Sequence, residues 1–312
     1  MIERHNKWTD DSSINTFSVK QRWSRQPMAP RTKLAMDAMS EAIQLRQSQK
    51  LGIWSPICPY DLVEKIGVKV WFEEYRSMEG MYCKKPGPLI VISSLRPSGR
   101  QAYTCTHELG HHTFKHGTHI DELIISQPAQ GYFNQEEFLV DCFAGFLLMP
   151  KSAVDRAFAI RGWNPRTCTA QQVYTIAGLF GVGYRTLIQH LNQTLRLMPS
   201  SLADNLSKIS PKQIRSKYLG KDIREDLLIV DTYWAGRPID IQVGDYIQLP
   251  VNTFSEGDCI RLLEKSEDKV LFCGETAGLG RFEHPDTGWS AFVRVSRRGF
   301  VGRNIYRHLE EA

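Results

Sequence analysis

The chain has 312 residues, of which 42% are hydrophobic and 23% are charged, and its formal net charge is +5. This composition is ordinary for a globular protein with an apolar core, and the length allows two domains. No apolar run reaches the length of a membrane span and residues 1–7 lack the apolar core of a signal peptide, so we expect a cytoplasmic protein with no membrane partner. The 7 cysteines form no C-x-x-C pair and predict reduced core residues.

The first part of the chain changes from polar to helical to strand-like patterns. Residues 1–31 show no sustained periodicity and predict a flexible N-terminal arm. Apolar residues at helical spacing then predict an amphipathic helix over 33–49 and a shorter one over 59–66. Three strands are predicted after these helices, at 68–72, 80–83 and 88–92.

The most informative stretch follows these strands and reads Thr106-His107-Glu108-Leu109-Gly110-His111-His112. It contains the pattern H-E-x-x-H within a predicted helix that opens with Ser98 as a candidate N-cap and ends at Gly117. Residues four apart share a helix face, so His107 and His111 can hold one metal ion with Glu108 beside it. Imidazole suits zinc, and we predict a Zn²⁺ site with Glu108 as general base. The alternative is a chance match on a solvated helix face.

A second predicted helix, 135–149, offers the third metal ligand. Glu137 and Asp141 share one face, so we predict Glu137 as the ligand and Asp141 as a carboxylate that orients a histidine. Asp141 is also the second choice for the ligand itself, with Glu136 third. His116 is a weaker rival ligand.

The predicted reaction is hydrolysis of an amide bond. Glu108 accepts the proton of the attacking water and then protonates the leaving amine. A further hydrogen-bond donor is expected to stabilise the oxyanion, and the candidates are His112, His116, Tyr103 and Tyr132. The sequence does not separate these four residues.

Three motifs in order resemble the ImmA/IrrE family of zinc metallopeptidases. They are Arg96-Pro97-Ser98-Gly99-Arg100, His107-Glu108-Leu109-Gly110-His111, and the run from Phe143-Ala144 to Leu147-Leu148-Met149-Pro150. The resemblance implies an α+β, gluzincin-like peptidase domain in which His107, His111 and Glu137 bind zinc and Glu108 is the catalytic acid/base. One departure is Leu139, where the family often has a glutamate.

The resemblance also implies a partner. Members of the family cleave or otherwise inactivate a repressor, so it implies a protein substrate such as a transcriptional repressor or a toxin-antitoxin regulator. We expect that substrate to be a separate polypeptide. Two alternatives are a regulator that binds its partner without hydrolysis and a DNA-binding regulator.

The DNA-binding alternative rests on residues 171–191, whose spacing is similar to a helix-turn-helix. In that interpretation Tyr184, Arg185 and Gln189 would face DNA. We favour a plain helical hairpin packed on the peptidase, because few cations surround the second helix. Nucleic acid is therefore an open but disfavoured partner.

In the last third of the chain the predicted secondary structure changes from helices to short strands. Residues 198–226 predict a linker with one short helix, 211–219. Short apolar runs between turn residues then predict a small all-β barrel or sandwich over 227–312. The predicted class is thus α+β, with an arm over 1–31, a zinc peptidase domain with its helical hairpin over 32–197, a linker and a C-terminal β domain.

Overall fold

A computed structural model describes residues 28–122, 133–267 and 269–309, and for 28–30 and 119–122 it describes the backbone alone. Residues 1–27 of the predicted arm lie outside the described residues. The first helix begins at Met28, earlier than the predicted start at residue 33. Pro30 falls within its first turn, where a missing amide hydrogen breaks no helical hydrogen bond.

The helices follow the predicted pattern, with additions after residue 150. In the described residues the α-helices are α1 (Met28–Ser48), α2 (Pro59–Lys65), α3 (Ser98–Phe114), α4 (Gln135–Leu148), α5 (Lys151–Ala159), α6 (Ala170–Phe180), α7 (Tyr184–Gln189), α8 (Ser200–Ser207) and α9 (Pro211–Leu219). A π-helical turn, His190–Thr194, continues α7, and a 3-10 turn lies at Asn304–Tyr306.

In the part of the chain that the structure describes, the strands form three mixed sheets. They are β1 (Lys69–Glu73), β2 (Met78–Cys83), β3 (Leu89–Ser93), β4 (His119–Glu122), β5 (Leu227–Ile229), β6 (Ile239–Gln242), β7 (Tyr246–Leu249), β8 (Phe254–Glu256), β9 (Ile260–Lys265), β10 (Val270–Gly274), β11 (Gly278–His284), β12 (Trp289–Ser296) and β13 (Gly302–Arg303). The sheet orders are β13-β1-β3-β2-β4, β5-β7-β10-β9 and β6-β12-β11-β8. The predicted α+β class is confirmed.

The first sheet includes strands from both ends of the chain. β1 pairs in parallel with β3, and β2 pairs antiparallel with β3 and β4. At the opposite edge, β13 pairs with β1 through Trp71 and Arg303. Residues 302–303 therefore belong to the N-terminal sheet, although the sequence predicted them within a C-terminal β domain. This pairing covers the backbone edge of β1 that would otherwise lie open. The division of the chain into domains stays a prediction.

Helix α4 is buried between α1 and α3. On the α1 side, the fully buried guanidinium of Arg46 donates to the carbonyl of Leu147 at 2.6 Å and to that of Gly52 at 2.6 Å. Because a buried cation needs acceptors, these bonds fix α1 to the C-terminal end of α4. The carbonyl of Ser55 accepts a further bond from the same side chain.

The segment 171–191, whose spacing is similar to a helix-turn-helix, is a hairpin packed on the N-terminal region. Gly181 ends α6 with φ 66°, in the left-handed region that favours glycine. Tyr184 is buried and donates its hydroxyl to the carbonyl of Leu206 at 3.0 Å. A Cβ at Gly99 of α3 would lie 2.7 Å from the carbonyl carbon of Val182, so the turn rests against the start of α3. Tyr184 therefore cannot reach DNA without leaving the core.

The region 198–226 contains two helices, and the prediction of a linker with one short helix is wrong at this point. Helix α9 has the predicted bounds, but α8 precedes it and packs on α7. Only Ala203 and Leu206 of α8 are buried, so its apolar periodicity is too weak to recognise in the sequence.

The C-terminal sheets are joined to the N-terminal region through Arg294. Arg294 donates to both carboxylate oxygens of Asp240, at 2.7 and 2.9 Å, and its remaining amino group binds Asp61 at 2.9 Å. Arg307 adds a bond at 3.1 Å. Burial alone would raise the pKa of Asp240, but these arginines hold it well below its usual range.

Among the described residues, no helix is long and apolar enough to cross a membrane.

Burial of His190 makes stability depend on pH. Burial lowers its pKa from 6.5 to about 4, although its Nε2 donates to the carbonyl of Met149 at 2.9 Å. Between these values the unfolded chain takes up a proton that the folded chain does not, so the free energy of unfolding falls as pH falls from 6.5 to 4. We predict that His190→Gln removes up to about 3 kcal/mol of this dependence. Denaturant titrations at several pH values in that range measure the free energy of unfolding of both proteins. If this free energy changed with pH equally in the unaltered chain and in His190→Gln, the prediction would be contradicted.

Candidate metal centre

Helix α3 brings His107 and His111 together at its core-facing side. Both side chains are buried, and their Nε2 atoms lie 3.2 Å apart. The helix begins after Pro97, which occupies the N-cap position with no side-chain cap, so the predicted cap at Ser98 is wrong by one residue. Pro97 has an extended ψ of 146°, which places Ser98 as the first helical residue. Lys115, with φ 62°, ends the helix.

Helix α4 contributes the third side chain. Its N-cap is Asn134, whose side chain accepts from the backbone amides of Glu136 and Glu137 at 3.0 and 3.3 Å. Glu137 therefore lies in the first turn, with its carboxylate oxygens 3.3 Å from Nε2 of His107 and 3.6 Å from Nε2 of His111. Glu136, one residue earlier, is exposed. His107, His111 and Glu137 are called the donor cluster below.

The donor cluster fits a metal ion. Its ligand atoms all lie within 4.8 Å of one another. Ligand atoms bound to zinc at about 2.0–2.2 Å with tetrahedral angles would lie about 3.4 Å apart, which is close to the separations of 3.2, 3.3 and 3.6 Å in the cluster. Two imidazoles and one carboxylate are also a ligand set that leaves a fourth position open.

Gly110 sets the distance between α3 and α4. A Cβ at this position would lie 2.8 Å from Cβ of Val140 and 3.0 Å from its Cγ1. Such distances are far inside van der Waals contact, so any side chain at residue 110 would push α4 away. The glycine between the two histidines thus permits the approach that brings Glu137 to them.

The other ring nitrogen of each histidine also has a partner. Nδ1 of His107 lies 3.0 Å from Oδ1 of Asp141, and Nδ1 of His111 lies 3.1 Å from Nδ1 of His116. These contacts can fix the orientation and tautomer of each ring, leaving both Nε2 atoms directed at the cluster. Asp141 thus lies where the sequence predicted a carboxylate that orients a histidine. His116 contacts the ligand residue His111 at the ring nitrogen that faces away from the donor cluster.

Glu108 is fully buried on the side of α3 that faces β2. A Cβ at Gly80 of β2 would lie 3.2 Å from Oε1 of Glu108 and 2.4 Å from Cγ2 of Thr104. Gly80 therefore makes room for the carboxylate, a role that the sequence analysis missed. A glycine inside a strand pattern is the signal that could have indicated this close approach.

The candidate oxyanion donors occupy different places. Tyr103 donates its hydroxyl to the carbonyl of Asp141 at 3.1 Å, and burial together with Asp141 raises its pKa well above the ordinary value. Nδ1 of His112 lies 2.7 Å from the hydroxyl of Tyr82, and burial lowers the pKa of this histidine. Tyr132 lies outside the described residues. The choice of donor stays a prediction.

A cleft of about 1180 Å³ opens beside the donor cluster. His107, Glu137 and Tyr103 line one end of it. The α6–α7 turn and residues of the C-terminal strands β5, β6 and β7 are also part of its lining. The lining of the cleft therefore joins residues of the donor cluster to residues of the C-terminal strands.

The comparisons with known proteins agree with the motifs. Residues 63–192 match the family model Peptidase_M78, described as the IrrE N-terminal-like domain, which confirms the resemblance to the ImmA/IrrE family. A solved structure described as a Mycobacterium tuberculosis transcriptional regulator is 16% identical, with a TM-score of 0.34, over 54% of this chain and 53% of that chain. The chain thus spans about half of that protein, and a likeness this low supports no inference. The search of curated proteins gives no match.

The contact between Asp141 and His107 should increase the affinity of the donor cluster for a metal ion. An asparagine in place of Asp141 would keep the size of the side chain but lose the charge that favours a proton on Nδ1 of His107. We expect Asp141→Asn to weaken the affinity of the chain for Zn²⁺ by about 10–100-fold in calorimetric titrations. Glu136→Gln, an exposed change on the same helix, is the control and should leave the affinity unchanged. Equal affinities for Asp141→Asn and the unaltered chain would show that Asp141 does not support the ligand.

Proposed function

We propose that the chain is a zinc-dependent, site-specific endopeptidase that cleaves a regulatory protein. The observation that carries the proposal is the donor cluster, whose ligand atoms lie within 4.8 Å of one another and whose first histidine directly precedes Glu108. The match to Peptidase_M78 over residues 63–192 supports a metallopeptidase independently of this geometry.

Zinc is the metal we propose. His107, His111 and Glu137 would hold it, and bound there it would polarise a substrate carbonyl and increase the acidity of water. The donors are nitrogen and carboxylate oxygen, without a thiolate. That set suits a catalytic zinc site, whereas structural zinc sites use mostly cysteines.

Glu108 is the proposed proton carrier. Its carboxylate would take a proton from the attacking water and return it to the nitrogen of the leaving amine. The position beside Gly80 supports this role, because the close approach of β2 holds the carboxylate in place and keeps bulk water away. The buried surroundings of α3 limit how far the side chain can turn.

The proposed substrate is a separately encoded protein. The ImmA/IrrE resemblance supports a transcriptional repressor, and a toxin-antitoxin partner is the second choice. An extended peptide can add to the edge of a sheet through main-chain hydrogen bonds. In the first sheet of the described residues, β2 lies beside Glu108 and β4 is the strand next to it at the edge.

The test compares the zinc-loaded chain with its Glu108→Gln variant on a random peptide library read by mass spectrometry. Glutamine keeps the shape of the side chain but cannot accept a proton. We expect the variant to retain zinc and to lose cleavage by about 10²–10⁴-fold. Glu136→Gln, on the exposed face of α4, is the matched control and should cleave normally.

Two results would count against the proposal. Cleavage retained in Glu108→Gln would remove the general-base role. Zinc bound without any cleavage by the unaltered chain would instead favour a regulator that binds its partner without hydrolysis.

A further inference from the structure

The cleft beside the donor cluster is rich in arginine. Nine arginines and six carboxylates line it, and two of those carboxylates, Glu137 and Asp141, belong to the metal end. No lysine lines it among the described residues. Beyond the metal end, the described lining therefore holds nine cations against four anions.

The remaining four carboxylates are already bound to arginines. Asp240 binds Arg307 at 3.1 Å, and Asp245 accepts from Arg298 at 2.7 Å. The other two, Glu79 and Asp226, bind Arg100 at 2.6 Å and Arg215 at 3.0 Å. These carboxylates are thus occupied, and the charge left over in the cleft is positive.

Arg185 and Arg224 carry this excess charge. Both are exposed, and within the described parts of the chain neither forms an ion pair with a carboxylate. Arg185, on α7, makes one long bond of 3.4 Å to the carbonyl of Ser207, which leaves its charge uncompensated. Arg224 comes from the loop between α9 and β5. Two separate segments thus bring to the same cleft guanidinium groups that, among the described residues, form no ion pair.

Arg100 also lines the cleft and lies on α3, the helix that carries His107. It precedes His107 by two turns of α3, which places it about 10 Å from that ligand along the helix. That distance corresponds to about three residues of an extended peptide. Arg100 is 61% exposed and shares the carboxylate of Glu79 with Arg96, so the pair of arginines keeps one net positive charge.

We infer that the cleft binds an acidic segment of the protein substrate, through arginines that begin about three residues from the scissile bond. Guanidinium groups bind carboxylates with paired hydrogen bonds, and a cleft lined by one sign of charge concentrates ligands of the opposite sign. The inference rests on the proposed function, because it names the class of substrate for the same site.

The experiment measures binding apart from cleavage. The probe is a fluorescein-labelled peptide of alternating glutamate and glycine, titrated with the full zinc-loaded chain carrying Glu108→Gln and followed by fluorescence anisotropy. The pair Arg185→Glu and Arg224→Glu, added to that chain, should weaken binding at least about tenfold, since each attraction becomes a repulsion. The milder pair Arg185→Gln and Arg224→Gln should weaken it to a smaller extent.

Arg166→Glu is the control for a charge reversal outside the cleft. Arg166 is exposed and does not line the cleft, so the control alters the net charge without altering the site. It should change binding by less than about twofold at ordinary ionic strength, where distant surface charges are screened. A lysine-glycine peptide should not bind.

Three results would overturn the inference. They are no binding of the glutamate peptide, equal weakening by Arg166→Glu and by the cleft variants, and tighter binding of a short DNA duplex through the same arginines. Because the assay needs no cleavage, a peptide that binds but is never cut by the unaltered chain would count against the proposed peptidase alone.

Discussion

The close packing of α3 against α4 at Gly110 is the constraint on which the rest of the site depends. A side chain at this position would lie 2.8 Å from Val140, so only glycine allows the helices to pack this closely. The two histidines come from α3 and the glutamate from α4. Their approach to 3.3 and 3.6 Å is therefore a consequence of backbone packing. Arg46, bound to the other end of α4, keeps that helix from sliding.

A second constraint relates the C-terminal sheets to the site. Arg294 binds Asp240 within these sheets and Asp61 of α2, and β13 pairs with β1. The buried pair with Asp240 fixes the guanidinium of Arg294, and the same side chain then binds Asp61, so these contacts hold the sheets against the N-terminal region. The cleft lies between the two. The arginines of the cleft therefore have a fixed position relative to the donor cluster. Because of this, the proposed recognition and the proposed cleavage can involve the same segment of the substrate.

Much of the site could be predicted from the sequence, because local rules determine it. The i, i+4 spacing placed His107 and His111 on one face, and the same rule on α4 selected Glu137 and Asp141. The sequence did not reveal which carboxylate would contact which atom, since that depends on the crossing of two helices. Gly80 beside Glu108 and the pairing of β13 with β1 were missed for the same reason: both join segments far apart in the chain.

His107, His111 and Glu137 should form one metal site, and the metal content of the protein measures this directly. Elemental mass spectrometry of the purified full chain should find one zinc per chain. Glu137→Ala and His111→Ala should each lose the metal, whereas Glu136→Ala, one residue away on the exposed face of α4, should keep it. Zinc absent from the unaltered chain after reconstitution, or retained in both ligand variants, would contradict the account.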